Sequence, residues 1–211
     1  MNRYEKVKAI TFDYGQKHRA EITAAAAIAE LNSIEWELIK VPKMEGQSPL
    51  TNPDVELGKY EKIEDLPGGI EPTFIPGRNI IFLALAANRA GAWMQDASGA
   101  AIVTGLCQED YGGYPDCRLI FVEKMEAAIN AGLEGTISSQ SGRPGEVDIC
   151  TPLMMLTKAE TVWMGVKEGA MESLALSHTC YEGKRPPCGK CHACHLRARG
   201  FKEAGISDPL I

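Results

Sequence analysis

Along this chain the spacing of apolar positions switches repeatedly between the strand period and the helix period. Val7-Lys-Ala-Ile-Thr-Phe12 is a short strand-forming run that ends at Asp13-Tyr-Gly-Gln16. Ala20 to Leu31 is rich in alanine, carries Glu21 and Glu30, and predicts a helix. Ile34 to Val41 alternates and predicts a second strand. Asn79 to Arg89 is apolar enough for a buried helix, and Ala100 to Gly105 is a core strand with a glycine at its end. Arg118 to Ala131 is amphipathic and helical, Val147 to Cys150 is a short strand running into Thr151-Pro152, and Thr157 to Glu168 predicts another helix. Pro42 to Gly77 is crowded with Pro, Gly, Ser and Asn. It reads as a long excursion over one face of the domain, and loops of that length tend to be functional or mobile.

Strand alternating with helix implies an α/β fold whose parallel sheet is covered by helices. No internal repeat or low-complexity segment interrupts the pattern. With 211 residues, the simplest organisation is one domain over 1–211, closed by a C-terminal hook.

Composition narrows the setting. Hydrophobic residues at 45% and charged residues at 24% are the balance of a folded globular chain. No apolar run is long enough to span a bilayer, and the polar start Met1-Asn-Arg-Tyr-Glu-Lys6 shows no secretory signal, so a cytoplasmic protein without membrane contact is expected. The net charge of -6 argues against bulk nucleic acid as a direct partner, although Lys184-Arg185, Arg197 and Arg199 leave a basic local patch.

Seven cysteines are an awkward number for a disulfide framework, and four of them fall within residues 180–194. Their spacing is Cys180-x7-Cys188-x2-Cys191-x2-Cys194. Two residues between cysteines let a tight turn aim both sulfurs at one ion, and Pro186-Pro187 with Gly189 suits such a turn. Zinc takes four thiolates at tetrahedral corners, and four leave no open position, so one structural Zn2+ per chain is the leading expectation. The rivals are an iron–sulfur cluster, whose usual run ends in a different spacing and a proline, four unliganded thiols, or His192 or His195 replacing one cysteine.

Other candidates sit at strand ends and helix starts. Asp13 and Gln16 end the first strand, where open parallel sheets bind ligands, and could bond a base or ribose; an ordinary turn reads equally well. Pro76-Gly-Arg-Asn79 places Arg78 at a helix N-terminus, suited to phosphate or carboxylate, or simply solvated. Thr104 to Arg118 packs Glu109, Asp110, Asp116, Tyr111 and Tyr114 among glycines. It is either a surface that reads the donor edge of a heterocycle or a long acidic turn. Thr157-Lys-Ala-Glu160 matches a capping box, which leaves Lys158 exposed or opposite a phosphate.

Taken in order, Thr11-Phe-Asp-Tyr-Gly-Gln16, Phe74-Ile-Pro-Gly-Arg-Asn79, Thr104-Gly with Glu109-Asp110, Gly113-Tyr-Pro-Asp-Cys-Arg118, Thr151-Pro-Leu153, Thr157 to Glu160 and the Cys180 to Cys194 set resemble the 7-cyano-7-deazaguanine synthase family of queuosine biosynthesis, the preQ0-forming enzymes. The resemblance runs over nearly the whole chain. It implies a doubly wound parallel sheet of the ATP-pyrophosphatase type, related to the adenine nucleotide alpha hydrolases, with a zinc-binding C-terminal portion. It further implies a C–N-forming ligase that adenylates 7-carboxy-7-deazaguanine with ATP, accompanied by Mg2+, admits ammonia to give an amide, and dehydrates that amide through a second activation. On this reading Arg78 and Lys158 are the catalytic cations, Asp13 and Gln16 face the nucleotide, and Asp110, Tyr114 and Asp116 hold the base. A homodimer is compatible with it.

One departure stands out. The Ser-Gly-Gly-x-Asp-Ser loop that precedes the Thr-Phe-Asp-Tyr-Gly strand in that family has no counterpart in Met1 to Lys8. The expectation is an N-terminally shortened chain whose natural form begins upstream, with weak turnover or none from the chain as it stands. Two alternatives remain at this level: a related ATP-pyrophosphatase that modifies tRNA, using Cys107 or Cys117, and a non-catalytic zinc-bound remnant.

Overall fold

The computed structural model describes Tyr4 and residues 6–94, 99–108, 114–134 and 145–211. Two compact units are built from it: Met1–Gly68, Pro72–Ile75 and Thr157–Ile211 form one, and Gly69–Glu71 with Pro76–Leu156 form the other.

In the first unit, β1 (Lys8–Asp13) runs parallel to β2 (Glu35–Lys40), in register from Lys8 opposite Glu35 to Asp13 opposite Lys40. Helix α1 (Ala20–Leu31) makes the crossover and buries Ile22, Ala24 and Ala29. Trp36 donates its indole N–H to Thr11 Oγ1 across the strand pair at 2.9 Å. Lys8 reaches both Glu35 and Glu37, at 2.9 and 3.0 Å. The unit is completed by three C-terminal helices: α4 (Lys158–Lys167), α5 (Met171–Leu176) and α6 (His192–Ala204).

In the second unit, α2 (Arg78–Trp93) leads to β3 (Gly99–Val103), and α3 (Leu119–Leu133) carries the chain to β4 (Glu146–Cys150), which pairs parallel with β3. Gly77, left-handed at φ 76°, makes the turn into α2. Leu83, Ala87, Ala90 and Met94 of the α2 arm meet Val122 and Ile129 of α3 and Val147 and Ile149 of β4 in one apolar cluster. Val147 is fully buried there.

A strand with one paired edge leaves N–H and C=O groups to satisfy on the other. In β4 this falls to two side chains of α3. Asn130 accepts from the Val147 N–H at 2.9 Å and donates to the Val147 carbonyl at 3.0 Å, and Glu126 accepts from the Ile149 N–H at 2.6 Å. Glu126 and Asn130 are four apart and so share a helix face.

The strands and helices lie where the periodicity placed them, with ends shifted by one or two residues except that α2 runs four residues past Arg89 to Trp93, and the strands pair in parallel as the alternation required. Among the described residues they pair as two parallel couples, so the doubly wound sheet is a finer statement than these pairings. The sequence reading named neither α5 nor α6. The segment after Pro42, read as an excursion over one face, is clasped to the first unit through Met44 N–H to Tyr14 O at 3.1 Å, Lys17 N–H to Leu50 O at 2.8 Å, and Ser48 Oγ to Thr73 O at 3.0 Å. Met44, Ser48, Leu50 and Thr51 are buried in it.

The capping box forms as read. Thr157 Oγ1 accepts from the Glu160 N–H at 3.1 Å, and the Glu160 carboxylate accepts from the Thr157 N–H at 2.8 Å. The Thr157 backbone N–H, and after it the Thr157 hydroxyl, hold the Glu160 carboxyl below the ordinary carboxylate range. Thr157→Ala removes the cap and should lower unfolding free energy by about 1 kcal/mol, read as a shift of the urea midpoint at constant m-value. No helix among the described residues is long and apolar enough to cross a membrane.

Candidate metal centre and strand-end sites

Four cysteine sulfurs, those of Cys180, Cys188, Cys191 and Cys194, lie within 4.8 Å of one another. The local fold explains how. Gly189 sits left-handed at φ 71°, so the chain can turn back between Cys188 and Cys191. Cys191 is the residue capping the start of α6, and Cys194 follows in its first turn. Cys180 comes from the preceding segment, where the Gly183 N–H closes a turn on the Cys180 carbonyl at 3.0 Å.

A tetrahedral ion bound at about 2.3 Å by each sulfur requires sulfurs roughly 3.8 Å apart. Here Cys188 and Cys194 stand 3.9 Å apart, and Cys191 and Cys194 stand 3.4 Å apart. The donor set and its size therefore fit one ion. A multi-iron cluster would need its cysteines spread around a larger body.

The backbone favours thiolate, while burial opposes it and raises the Cys188 thiol. Backbone N–H groups aim at the sulfurs: Cys188 N–H at Cys180 Sγ at 3.4 Å, Tyr181 N–H at Cys191 Sγ at 3.5 Å, and Lys190 N–H at Cys188 Sγ at 3.5 Å. A hydrogen bond between the sulfurs of Cys191 and Cys194 pulls the Cys191 thiol down to about 5, although burial opposes this. Cys194 moves the other way, its proton held by that same bond and its thiolate disfavoured by burial and by the Cys191 charge. His195 points its Nε2 at the Tyr60 carbonyl, 2.9 Å away, and so belongs to the support of the cage. Lys190 adds an ion pair to Glu61 at 2.6 Å, and the Tyr60 N–H donates to the Lys190 carbonyl at 2.8 Å.

At the carboxyl end of β1 the turn is closed by its own side chains. Gln16 accepts from the Tyr14 N–H at 2.9 Å and donates to the Phe12 carbonyl at 3.3 Å and to Glu21 at 2.9 Å. Asp13 pairs with Arg19 at 2.6 Å. Both residues thus shape the strand end, and their side-chain partners are Arg19, just ahead of α1, and Glu21 in its first turn. Lys158 is the first residue of α4, immediately behind the Thr157 cap.

In the second unit a polar cluster is buried. Asp116 lies in a short helical turn, Pro115–Cys117, and burial raises its carboxyl above the ordinary range. The nearby Arg78 charge and the Asn79 backbone N–H act in the opposite sense. The Asn79 side chain donates to the Asp116 carbonyl at 3.2 Å. Tyr114 donates to Glu71 at 3.3 Å, and both side chains are buried.

The structure therefore gathers the four cysteines, places Asp13 and Gln16 in one turn, and brings Arg78 into the electrostatic neighbourhood of Asp116. Asp13, Gln16, Lys158 and the cysteines belong to the first unit, and Arg78, Tyr114 and Asp116 to the second. Asp110 and Glu109 lie outside the described residues. Sequence reading missed Glu71, which lies in a Gly- and Pro-rich stretch without periodicity. It also missed His18, which lies in the polar link between β1 and α1.

Comparison with known proteins adds the following. The family model described as "Queuosine biosynthesis protein QueC" matches residues 1–205. The 7-cyano-7-deazaguanine synthase of Gloeobacter violaceus is 48% identical in an alignment that covers 98% of this chain and 86% of that protein. The synthase of Chromobacterium violaceum is 42% identical over 98% of this chain and 82% of its own length. That of Thermoplasma acidophilum is 37% identical, over 97% and 81% respectively.

Proposed function

The chain belongs to the QueC family of queuosine biosynthesis proteins, and from that premise we propose that it converts 7-carboxy-7-deazaguanine and ammonia into 7-cyano-7-deazaguanine at the expense of ATP. The observation that carries this reading is the match over residues 1–205 together with relatives named for that product.

The chemistry sets what the protein must supply. A carboxylate is a poor electrophile because its leaving group would be oxide. Its oxygen attacks the α-phosphorus of ATP and pyrophosphate departs. Ammonia then attacks the acyl carbon, AMP leaves with the carboxylate oxygen, and an amide remains. The amide oxygen attacks a second ATP in the same way, and loss of AMP with two protons leaves the nitrile. Each nitrile is thus accompanied by two AMP and two pyrophosphates. Negative charge accumulates on the departing pyrophosphate, so fixed cations there lower the barrier.

We assign that task to Arg78, at the start of α2, and Lys158, at the start of α4, since helix N-termini favour anions. ATP enters with its Mg2+. Asp13 and Gln16 keep the carboxyl end of β1 in shape for the nucleotide. Asp110, Tyr114 and Asp116 hold the deazaguanine. A carboxylate and a phenol suit the donor edge of that heterocycle, and the buried pair of Tyr114 with Glu71 fixes the phenol. The doubly wound ATP-pyrophosphatase sheet is part of the same reading.

The cage of Cys180, Cys188, Cys191 and Cys194 holds one Zn2+. With four thiolates and no open position, that ion supplies shape and no Lewis acidity to the substrate.

The test is incubation with ATP, Mg2+, ammonia and 7-carboxy-7-deazaguanine, with AMP and nitrile followed together. Two AMP per nitrile is the expected result. AMP release that does not depend on the deazaguanine refutes the reading. Arg78→Ala should lower kcat/KM for ATP by about 100-fold, with the melting transition retained.

A further inference from the structure

The cysteine segment grips the proposed nucleotide-handling elements of its own unit directly. His18 follows the turn that ends β1. Its ring lies close to the Tyr181 carbonyl, in the residue after the cage cysteine Cys180. Its Nδ1 is buried with no hydrogen-bond partner, so the ring is held by packing. His178 stands edge-on against it, ring centres 5.4 Å apart at 65°, and bonds the Cys180 carbonyl at 2.8 Å.

Gly183 closes the pocket around the imidazole. Its φ is +68°, and a Cβ built there would lie 2.7 Å from His18 Cβ. No other residue fits, because the backbone conformation and the contact both exclude one. A second grip lies on α6. A Cβ on Gly200 would come within 2.8 Å of Lys158 Cβ and 3.3 Å of the Lys158 carbonyl, so the α6 backbone seats directly against the first residue of α4. A third runs through the chain between them. Tyr60 is bonded to Lys190 and His195 of the cage, while Leu50, ten residues earlier, holds the Lys17 N–H.

We propose that the cysteine cage is the frame that positions the nucleotide site: His18 is a positioning residue that fixes the turn between β1 and α1, and Gly200 lets α6 seat Lys158. The proposal rests on the assignment of that turn and of Lys158 to ATP made above. It extends the role of the metal from closing the tail of the chain to setting substrate geometry, where a displacement of about 1 Å can cost about 100-fold in rate.

The experiment uses the full, zinc-loaded chain with His18→Ala, His18→Gln and Gly200→Ala. Zinc per chain, hydrogen exchange of the peptide spanning Tyr14 to Arg19, and the KM for ATP alongside kcat are measured. His18→Ala should keep its zinc, exchange that peptide about 10-fold faster, and raise the KM for ATP by about 10-fold or more while kcat changes less. Glutamine, which keeps part of the side-chain bulk against Gly183 and His178, should restore much of both. Gly200→Ala should raise the KM and leave the Tyr14 to Arg19 exchange alone.

Unchanged exchange in zinc-loaded His18→Ala overturns the proposal, as does loss of zinc in the alanine and glutamine variants alike. Should His18→Ala not fold, an unchanged KM in Gly200→Ala overturns it. If the parent chain turns over too little ATP for a KM, the exchange data still judge the coupling between cage and turn, and AMP release independent of the deazaguanine separately judges the assignment of function.

Discussion

Replacing Cys191 by serine is expected to abolish metal binding and to loosen the C-terminal half of the first unit. Cys191 is 1% exposed, caps the start of α6, receives the Tyr181 N–H and shares a proton with Cys194. A serine oxygen is shorter and harder, and one lost thiolate leaves three sulfurs that cannot close a tetrahedron. Structural zinc sites contribute about 10 kcal/mol or more in small domains. Here neighbouring packing keeps part of the structure, so a loss of at least about 3 kcal/mol is expected. Elemental analysis should fall from one zinc per chain to near none, and the guanidinium midpoint should drop. A chelator should bring the parent protein to the same midpoint and leave the variant where it is. A variant that keeps its zinc and its midpoint, or a parent that carries iron, would sink the zinc assignment.

Arg197→Ala is the second large effect. Arg197 and Asp208 are each 8% exposed and bonded through two parallel contacts, at 2.6 and 2.7 Å. The guanidinium also donates to Ser177 Oγ at 2.7 Å and to the Leu174 carbonyl at 3.2 Å, and lies 5.1 Å from the centre of the Phe201 ring. One residue thus ties α6 to the end of α5 and to the C-terminal tail. Removing one member of a buried pair strands the other charge, at a cost of about 3–5 kcal/mol. The double variant Arg197→Met with Asp208→Leu should lose much less, because no charge is left alone. A single variant no worse than the double would refute this account.

The pair also makes an acid-linked prediction within the same experiment. Burial resists ionisation of Asp208, but Arg197 and the Leu210 N–H outweigh it and leave the carboxyl below the ordinary carboxylate range. A carboxyl depressed in the folded state stabilises above its unfolded value and loses that contribution as pH falls through the folded one. Stability of the parent should therefore decline below about pH 4. The Arg197→Ala variant should lack that component of the decline.

What was legible beforehand follows from what each feature depends on. The alternation of strand and helix, the capping box at Thr157 and the cysteine spacing are local signals, and each was readable within a few residues. Helix α6 was not, because it begins inside the cysteine cluster. His192 and His195 there read as metal chemistry, and only Leu196 and Phe201 supply an apolar stripe. The clasp of Met44 and Leu50 onto the β1 turn uses backbone carbonyls, which leave no mark in composition. Glu71 and Tyr114 are partners 43 residues apart, and Arg197 finds Asp208 in a tail without periodicity. The strand-end candidates were located by position, yet Gln16 spends its amide on Phe12, Tyr14 and Glu21, a distribution visible only once the turn is built.

The Arg197–Asp208 lock also governs how the molecule can be handled. Ile211 is 83% exposed, whereas Asp208, three residues earlier, is sealed against α6 and accepts the Leu210 N–H. A purification handle or reporter can be fused behind Ile211 without disturbing that seal. A fragment or chimera whose junction falls ahead of Asp208 would carry a buried arginine with no counter-ion, and its poor yield would say nothing about catalysis.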